Sequence, residues 1–548
     1  FTVNDANNAS VATGSLTITI TAAASAVCTP AGNEAALTSA NPYAFLLKGT
    51  DGSGNPIDIA GSFTPDRKGG IASAVADYNG FTNGPEPLLV DLTGSSYSFS
   101  PTAEGCLYLA FSGLSSAAVK AAHLGAMSQS RAAAPSHKRN VKKPEVAAVP
   151  VSGVQFSFYL SSFDGTIYHT GRIIESDNTV GTGTNASGLI HVQIPSTFTL
   201  SSLQTNYAFG VDGWTAAPSS ILRTAFAGTF SNSSGNLSAG YGDMNLGGTP
   251  SGELSGGFGT LNGTIDSSSG RGTGSYFLTT PNGSLTFDFA FYVLNGSDLI
   301  LVSTDLAQSD STTPLLSGRA LASSPSYGAA PLNGYYLLAS QGLQTLGTSI
   351  GNISQIGTLQ ATSAGTIPTA TIYSNYAGTY ASNQYPSSNY SVEAVSGRVS
   401  MTGLTTVPPV IYLTTGATSD DEIVGFLVGT DTQASSGLLV SQSASAPGYT
   451  LGSVKGSYAS STEEDVDGLN GAFLGGFSFN GTGGYTVTPQ TTGSVTNAPS
   501  AGSISVNADG SGSLDGTKFP LVTNGQVIFA IPDSGDPLLF VFIEGVLP

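Results

Sequence analysis

The chain has 548 residues, enough for three or four domains with separate cores. Charged residues make up only 9%, and 16 Lys+Arg against 35 Asp+Glu give a net charge of −19, which excludes a phosphate-neutralising groove and hence a nucleic-acid partner. A hydrophobic content of 40% excludes disorder, and no 18-residue apolar run is present to span a bilayer.

Phe1 opens directly into a strand pattern with no signal peptide ahead of it, so the chain reads as a mature or trimmed product. Residues 1–27 read as a partial hairpin and linker; Leu16, Ile18 and Ile20 alternate with Thr17 and Thr19, the pattern expected of a half-buried strand. Beyond it, helical periodicity is almost absent. Short β-branched and aromatic runs broken by Gly, Asn-Gly and Asp-Gly turns recur to the end, which predicts an all-β chain.

One scheme occurs four times. Each unit opens on a Tyr-led strand, at Tyr43-Ala44-Phe45, Tyr207-Ala208-Phe209, Tyr335-Tyr336-Leu337 and Tyr458-Ala459. A Gly-x-Phe/Leu strand follows at Gly61, Gly228, Gly357 and Gly475, and an apolar hairpin closes each unit: Phe156 to Glu175, Phe287 to Asp305, Val410 to Asp431 and Val527 to Glu544. A terminal Gly-containing strand, led by Gly171, Gly318 and Gly437, is expected in the first three. The expected architecture is four tandem antiparallel β-barrel or β-sandwich domains in a row, covering residues 28–205, 206–330, 331–455 and 456–548. The first carries a long insertion, 112–153, that holds six of the 16 basic residues and one acid. Its start, Ser115 to Met127, reads as a short helix and its second half as a linker in which Lys138, Arg139, Lys142 and Lys143 form a basic tether for an acidic body.

The scheme Tyr-Ala-Phe, Ala-Gly-Ser/Thr-Phe, Gly270 to Phe277 (Gly-Arg-Gly-Thr-Gly-Ser-Tyr-Phe) and an apolar closing hairpin resembles the tandem β-domains of large secreted bacterial surface proteins. The first twenty residues resemble the last hairpin of a bacterial Ig-like repeat. These resemblances imply export and an extracellular or cell-surface place, and no activity.

Candidate chemistry is sparse. Cys28 and Cys106 either pair across the N-terminal linker, as an oxidising compartment favours, or stay as two thiols. Gly347-Thr348-Ser349-Ile350-Gly351 has nucleophile-elbow spacing but no helix to follow it. His169 and His191 read as outward strand positions, and most acids sit in turns, where Asp accepts local backbone bonds. Asp465, Asp467 and Asn470 have half the spacing of a calcium loop but lack its closing Glu; otherwise no cofactor is indicated. Trp214 is the single tryptophan and a candidate element of a sugar platform. The function expected is a non-enzymatic extracellular structural protein, a subunit of a filament, sheath or surface layer that self-associates by β-strand addition through Leu16 to Ile20. The alternative is an adhesin that binds a surface glycan.

Overall fold

The computed structural model describes residues 28–111 and 153–545, apart from 39, 52–53, 82–83, 177–184, 218–219, 281–282, 306–313, 345–350, 405–406, 416–421, 444–447, 464–471, 492–498 and 536. The strand Leu16 to Ile20, the basic tether at Lys138, Arg139, Lys142 and Lys143, the helix expected at Ser115, the Ser349 elbow and the calcium candidates Asp465, Asp467 and Asn470 lie outside the described residues. Within them the chain is all-β, with four short 3-10 turns and no α-helix, so no helix there is long and apolar enough to cross a membrane.

Four antiparallel sheets follow one another along the chain. Unit 1 is a nine-stranded sheet from Tyr43 to Val192 whose ends meet at a Gly70–Ser96 bridge and a 2.8 Å bond from the Tyr97 N–H to the Gly69 carbonyl. Units 2 and 4 are closed eight-stranded barrels, Asn206 to Ala322 and Gly456 to Gly545. Unit 3 is a ten-stranded sheet from Gly334 to Ser443, left open between Thr379–Tyr385 and the two-residue strand Thr366–Ile367. In each the first strand pairs with both the second and the last, which removes most sheet edges; units 1, 2 and 4 are simple meanders, whereas in unit 3 the short strand Thr366–Ile367 leaves the sequential order to pair with Ser388–Val392.

The repeated Tyr and Gly-x-Phe strands pair in a common register. Tyr43 lies opposite Phe63, Tyr207 opposite Phe230, Tyr336 opposite Leu359 and Tyr458 opposite Phe477. Tyr336, not Tyr335, is therefore the leading tyrosine of unit 3. These tyrosines are buried in the unit cores, and the hydroxyls of Tyr207 and Tyr458 donate to the turn carbonyls of Gly296 and Gly525. The glycine two residues before each partner lies beside a large side chain: in unit 1 a Cβ on Gly61 would sit 2.5 Å from the Phe45 ring.

The terminal strand expected at Gly171 is instead the penultimate strand of unit 1, Tyr168–Glu175. The last strand is Asn185–Val192, where Gly188 stands in the register of Gly318 and Gly437. The sequence pattern points one strand too early because Gly171-Arg172 mimics Gly318-Arg319. Cys28 and Cys106 are bonded with Cα atoms 5.6 Å apart, which ties the start of the described chain to the Glu104–Phe111 strand.

The units do not stand in a row. Unit 1 packs on unit 2, unit 2 on unit 3, unit 3 on unit 4, and unit 4 returns to unit 1, so the four sheets close a ring. Alternation explains this arrangement. The leading Tyr and the residue two further on point into the unit core, whereas the intervening Ala44, Ala208, Leu337 and Ala459 face the neighbouring unit.

Strand approach is closest where the last strand crosses the first. A Cβ on Gly188 would lie 1.8 Å from the Leu46 carbonyl oxygen, so Gly188→Ala is expected to cost about 2–3 kcal/mol in chemical denaturation. Gly328→Ala, with no atom within 4 Å of the added Cβ, should stay within about 0.5 kcal/mol of wild type. Equal effects at the two positions would contradict the register.

Candidate functional site

The four leading strands converge on the centre of the ring. Five residues after each leading Tyr stand Lys48, Asp212, Gln341 and Glu463, and all four line one cavity of about 170 Å³. One wall is polar and comes from units 1 and 2, with Lys48, Arg172, His191, Asp212 and Arg319. The other comes from units 3 and 4 and is mainly apolar, with Phe426, Leu427, Phe529, Val541 and Ile543 among its residues.

The charges on this wall are paired. Lys48 Nζ lies 2.5 Å from Asp212 Oδ1 and donates at 2.8 Å to the Ser317 carbonyl. Asp212 also takes Arg223, whose side chain is 0% exposed and whose guanidinium lies 5.4 Å from the centre of the Trp214 ring. Burial opposes the charge on Asp212, but Lys48, Arg223 and a bond from Ser436 outweigh it and hold the carboxyl below its ordinary range. Arg172 reaches Glu463 at 2.5 Å and Ser461 Oγ at 2.7 Å, and Arg319 pairs with Asp298 at 2.6 Å. Unit 1 thus supplies cations to the acids of units 2 and 4, while Gln341 of unit 3 is the uncharged member of the four.

His191 is 4% exposed and its Nε2 lies 3.0 Å from Thr170 Oγ1, so the outward position expected for it is wrong. His169 is on the surface beside Asp164, at 2.9 Å. Trp214 is buried with Phe81, Leu315 and Leu343, which removes it as a sugar platform. Sequence reasoning missed the central residues, although aligning the repeats on their leading Tyr would have placed Lys, Asp, Gln and Glu in one column.

A second constellation marks the joints. Asp77 of unit 1 accepts Nε and Nη2 of Arg271 in unit 2, both at 2.7 Å, and the hydroxyl of Tyr292 at 2.6 Å. Asp243 of unit 2 accepts Arg398 at 2.6 and 3.0 Å and Tyr412 at 2.7 Å, both from unit 3. Arg271 faces Tyr292 across the ladder as Arg398 faces Tyr412. Burial, then the carboxylate, raises both phenols, which keeps them protonated as donors. Two residues after each acid, Asn79 and Asn245 donate to three oxygens or carbonyls of the next unit's closing turn, and Asn375 of unit 3 does the same at Pro532, at 2.9 Å.

No protein-family model matches the chain, and no curated protein matches it. Among solved structures, that of intact Ap-TbpB with its N and C lobes is 9% identical and covers 70% of this chain and 85% of that one, with a TM-score of 0.16. A mutant of the vaccine antigen transferrin binding protein B from Haemophilus parasuis Hp5 is 10% identical, over 71% and 85%, also with a TM-score of 0.16. A superposition at that score carries no argument about this chain.

Replacing Asp212 by Asn leaves Lys48 and Arg223 facing each other. The expected loss is about 2–4 kcal/mol, somewhat less than for a fully buried pair because the Asp212 side chain keeps 15% exposure. The wild-type contribution is complete above the ordinary carboxyl value of 3.8 and is lost as pH falls toward the lower folded value, so the wild-type advantage over Asp212→Asn should shrink only in acid. Glu253 behaves in the opposite sense. Although Glu253 lies at the surface, partial desolvation of its carboxyl and then the neighbouring Glu393 of unit 3 push it up to about 7, so its contribution is full below 4.5 and is lost as pH rises through about 7. The stability of wild type relative to Glu253→Gln should therefore decline between pH 4.5 and 7; a flat difference in pH-dependent denaturation would show that the two carboxyls do not meet.

Proposed function

We propose that the protein is a non-enzymatic structural subunit at the bacterial cell surface that polymerises by β-strand addition. The observation that supports this reading is the open edge of unit 3. The strand Thr379–Tyr385 pairs with Thr369–Tyr376 on one side and, among the described residues, with no strand on the other. Its sequence, Thr-Tyr-Ala-Ser-Asn-Gln-Tyr, has no Lys, no Pro and no register shift, the devices that normally block edge pairing. The alternating segment Leu16 to Ile20 of a neighbouring chain is the proposed donor, with main-chain bonds supplying strength and Leu16, Ile18 and Ile20 the register. A head-to-tail contact of this kind does not close on itself.

The ion-paired centre fits a structural role, because each charge on its wall is engaged by the protein itself. The alternative, a glycan-binding adhesin, draws on one surface feature: Phe258, 56% exposed, lies 4.8 Å from the Phe277 ring on unit 2.

Negative-stain microscopy of the full chain tests the first reading. Wild type should form regular polymers, and both Leu16→Glu/Ile18→Glu/Ile20→Glu and the acceptor-edge change Ser382→Pro should yield dispersed particles. Polymers that survive both changes would refute strand addition. Dispersed wild-type particles whose binding to a glycan array is lost in Phe258→Ala would favour the adhesin.

A further inference from the structure

The joint that closes the ring follows the plan of the two joints that unit 2 makes, with one change. Glu104 faces Tyr159 across a ladder of unit 1 as Arg271 faces Tyr292 in unit 2, and Gln490 of unit 4 stands where Asp77 stands in unit 1. The charged Asp–Arg pair is thereby replaced by a bond from the Gln490 amide to the Glu104 carboxylate. Five buried apolar side chains form the hydrophobic part of this joint, against eight between units 1 and 2. A cavity of about 180 Å³ lies within it, between Glu104 and Tyr159 on one side and Ser457 and Phe477 on the other. It is also the one joint whose two units are not consecutive in the chain: units 1 and 2, 2 and 3, and 3 and 4 are each held by a peptide connector.

We propose that the unit 4–unit 1 joint is a latch that opens and re-forms between copies of this chain, the unit 4 face of one copy seating on the unit 1 face of the next. The occupant is a second copy because the complementary face already exists in every chain, with matching shape, the Arg172–Glu463 ion pair and the Asn185 bond to the Ala472 N–H at 2.7 Å. Exchange between copies restores the same ion pair, hydrogen bonds and apolar packing that opening breaks. The balance is then set by the effective concentration of the two faces within one chain against the concentration of chains. An opened ring continued in this way becomes an open superhelix of units, a mode of association that does not depend on strand addition.

The test is made in the full chain carrying Leu16→Glu/Ile18→Glu/Ile20→Glu, so that strand addition is disabled and failure of one proposal is separable from failure of the other. Gln490→Glu places a second carboxylate against Glu104. Because the change weakens the closed and the exchanged joint alike, light scattering coupled to size exclusion at pH 7 should show the same dimers and larger species as without it, reached roughly tenfold faster after concentration. Adding a staple, Asn185→Cys with Ala472→Cys, should return the protein to monomer mass. If Gln490→Glu loses its folded circular-dichroism signal, Arg172→Ala replaces it under the same criteria. Monomers at every concentration in the folded variant, or association undiminished by the staple, would overturn the latch.

Discussion

The strand that opens each unit has to bury both of its faces, and the rest of the structure follows from that requirement. A strand with a one-sided core can leave its other face in water. Here the alternate residues are Tyr43, Phe45 and Leu47 on one face and Ala44 and Leu46 on the other, and both sets are buried. A lone barrel would expose the second set. Packing the first strands of one unit against the closing strands of the next covers it, and four such steps return to the start.

At the centre of that ring a charge-poor chain concentrates its few cations. Of the ten basic residues outside the insertion, Lys48, Arg172, Arg223, Arg271, Arg319 and Arg398 are all ion-paired at the central cavity or at a joint. Such pairs add little net stability over apolar packing, but breaking one leaves a charge in a poorly hydrated place. They therefore act mainly on arrangement: Asp77 fits Arg271 and Tyr292, and unit 1 fits between the acids of units 2 and 4. Alternative orders of the units would bring like charges together, a penalty that apolar surfaces alone would not impose.

Much of the fold was legible in the sequence because it depends on local signals. Turn glycines, β-branched runs and the Tyr/Gly-x-Phe pairing announce the all-β class, the four units and the closing hairpins. The slip from Tyr336 to Tyr335 arose where two tyrosines adjoin, so composition could not set the phase that the Leu359 partner sets. The ring, and with it the site, was not legible. Lys48 and Asp212 are 164 residues apart and meet only after two barrels have folded and docked. His191 looked like a surface residue because it lies in a strand-like run, and such a pattern cannot tell water from a neighbouring unit.

Small-angle X-ray scattering of the monomeric full chain measures the ring most directly. Four units closed on one another predict a radius of gyration of about 25 Å, the value for one compact body of this length. A radius of about 35 Å or more, with a distance distribution drawn out like a rod, would mean that the four barrels stand in line and that the central cavity does not exist.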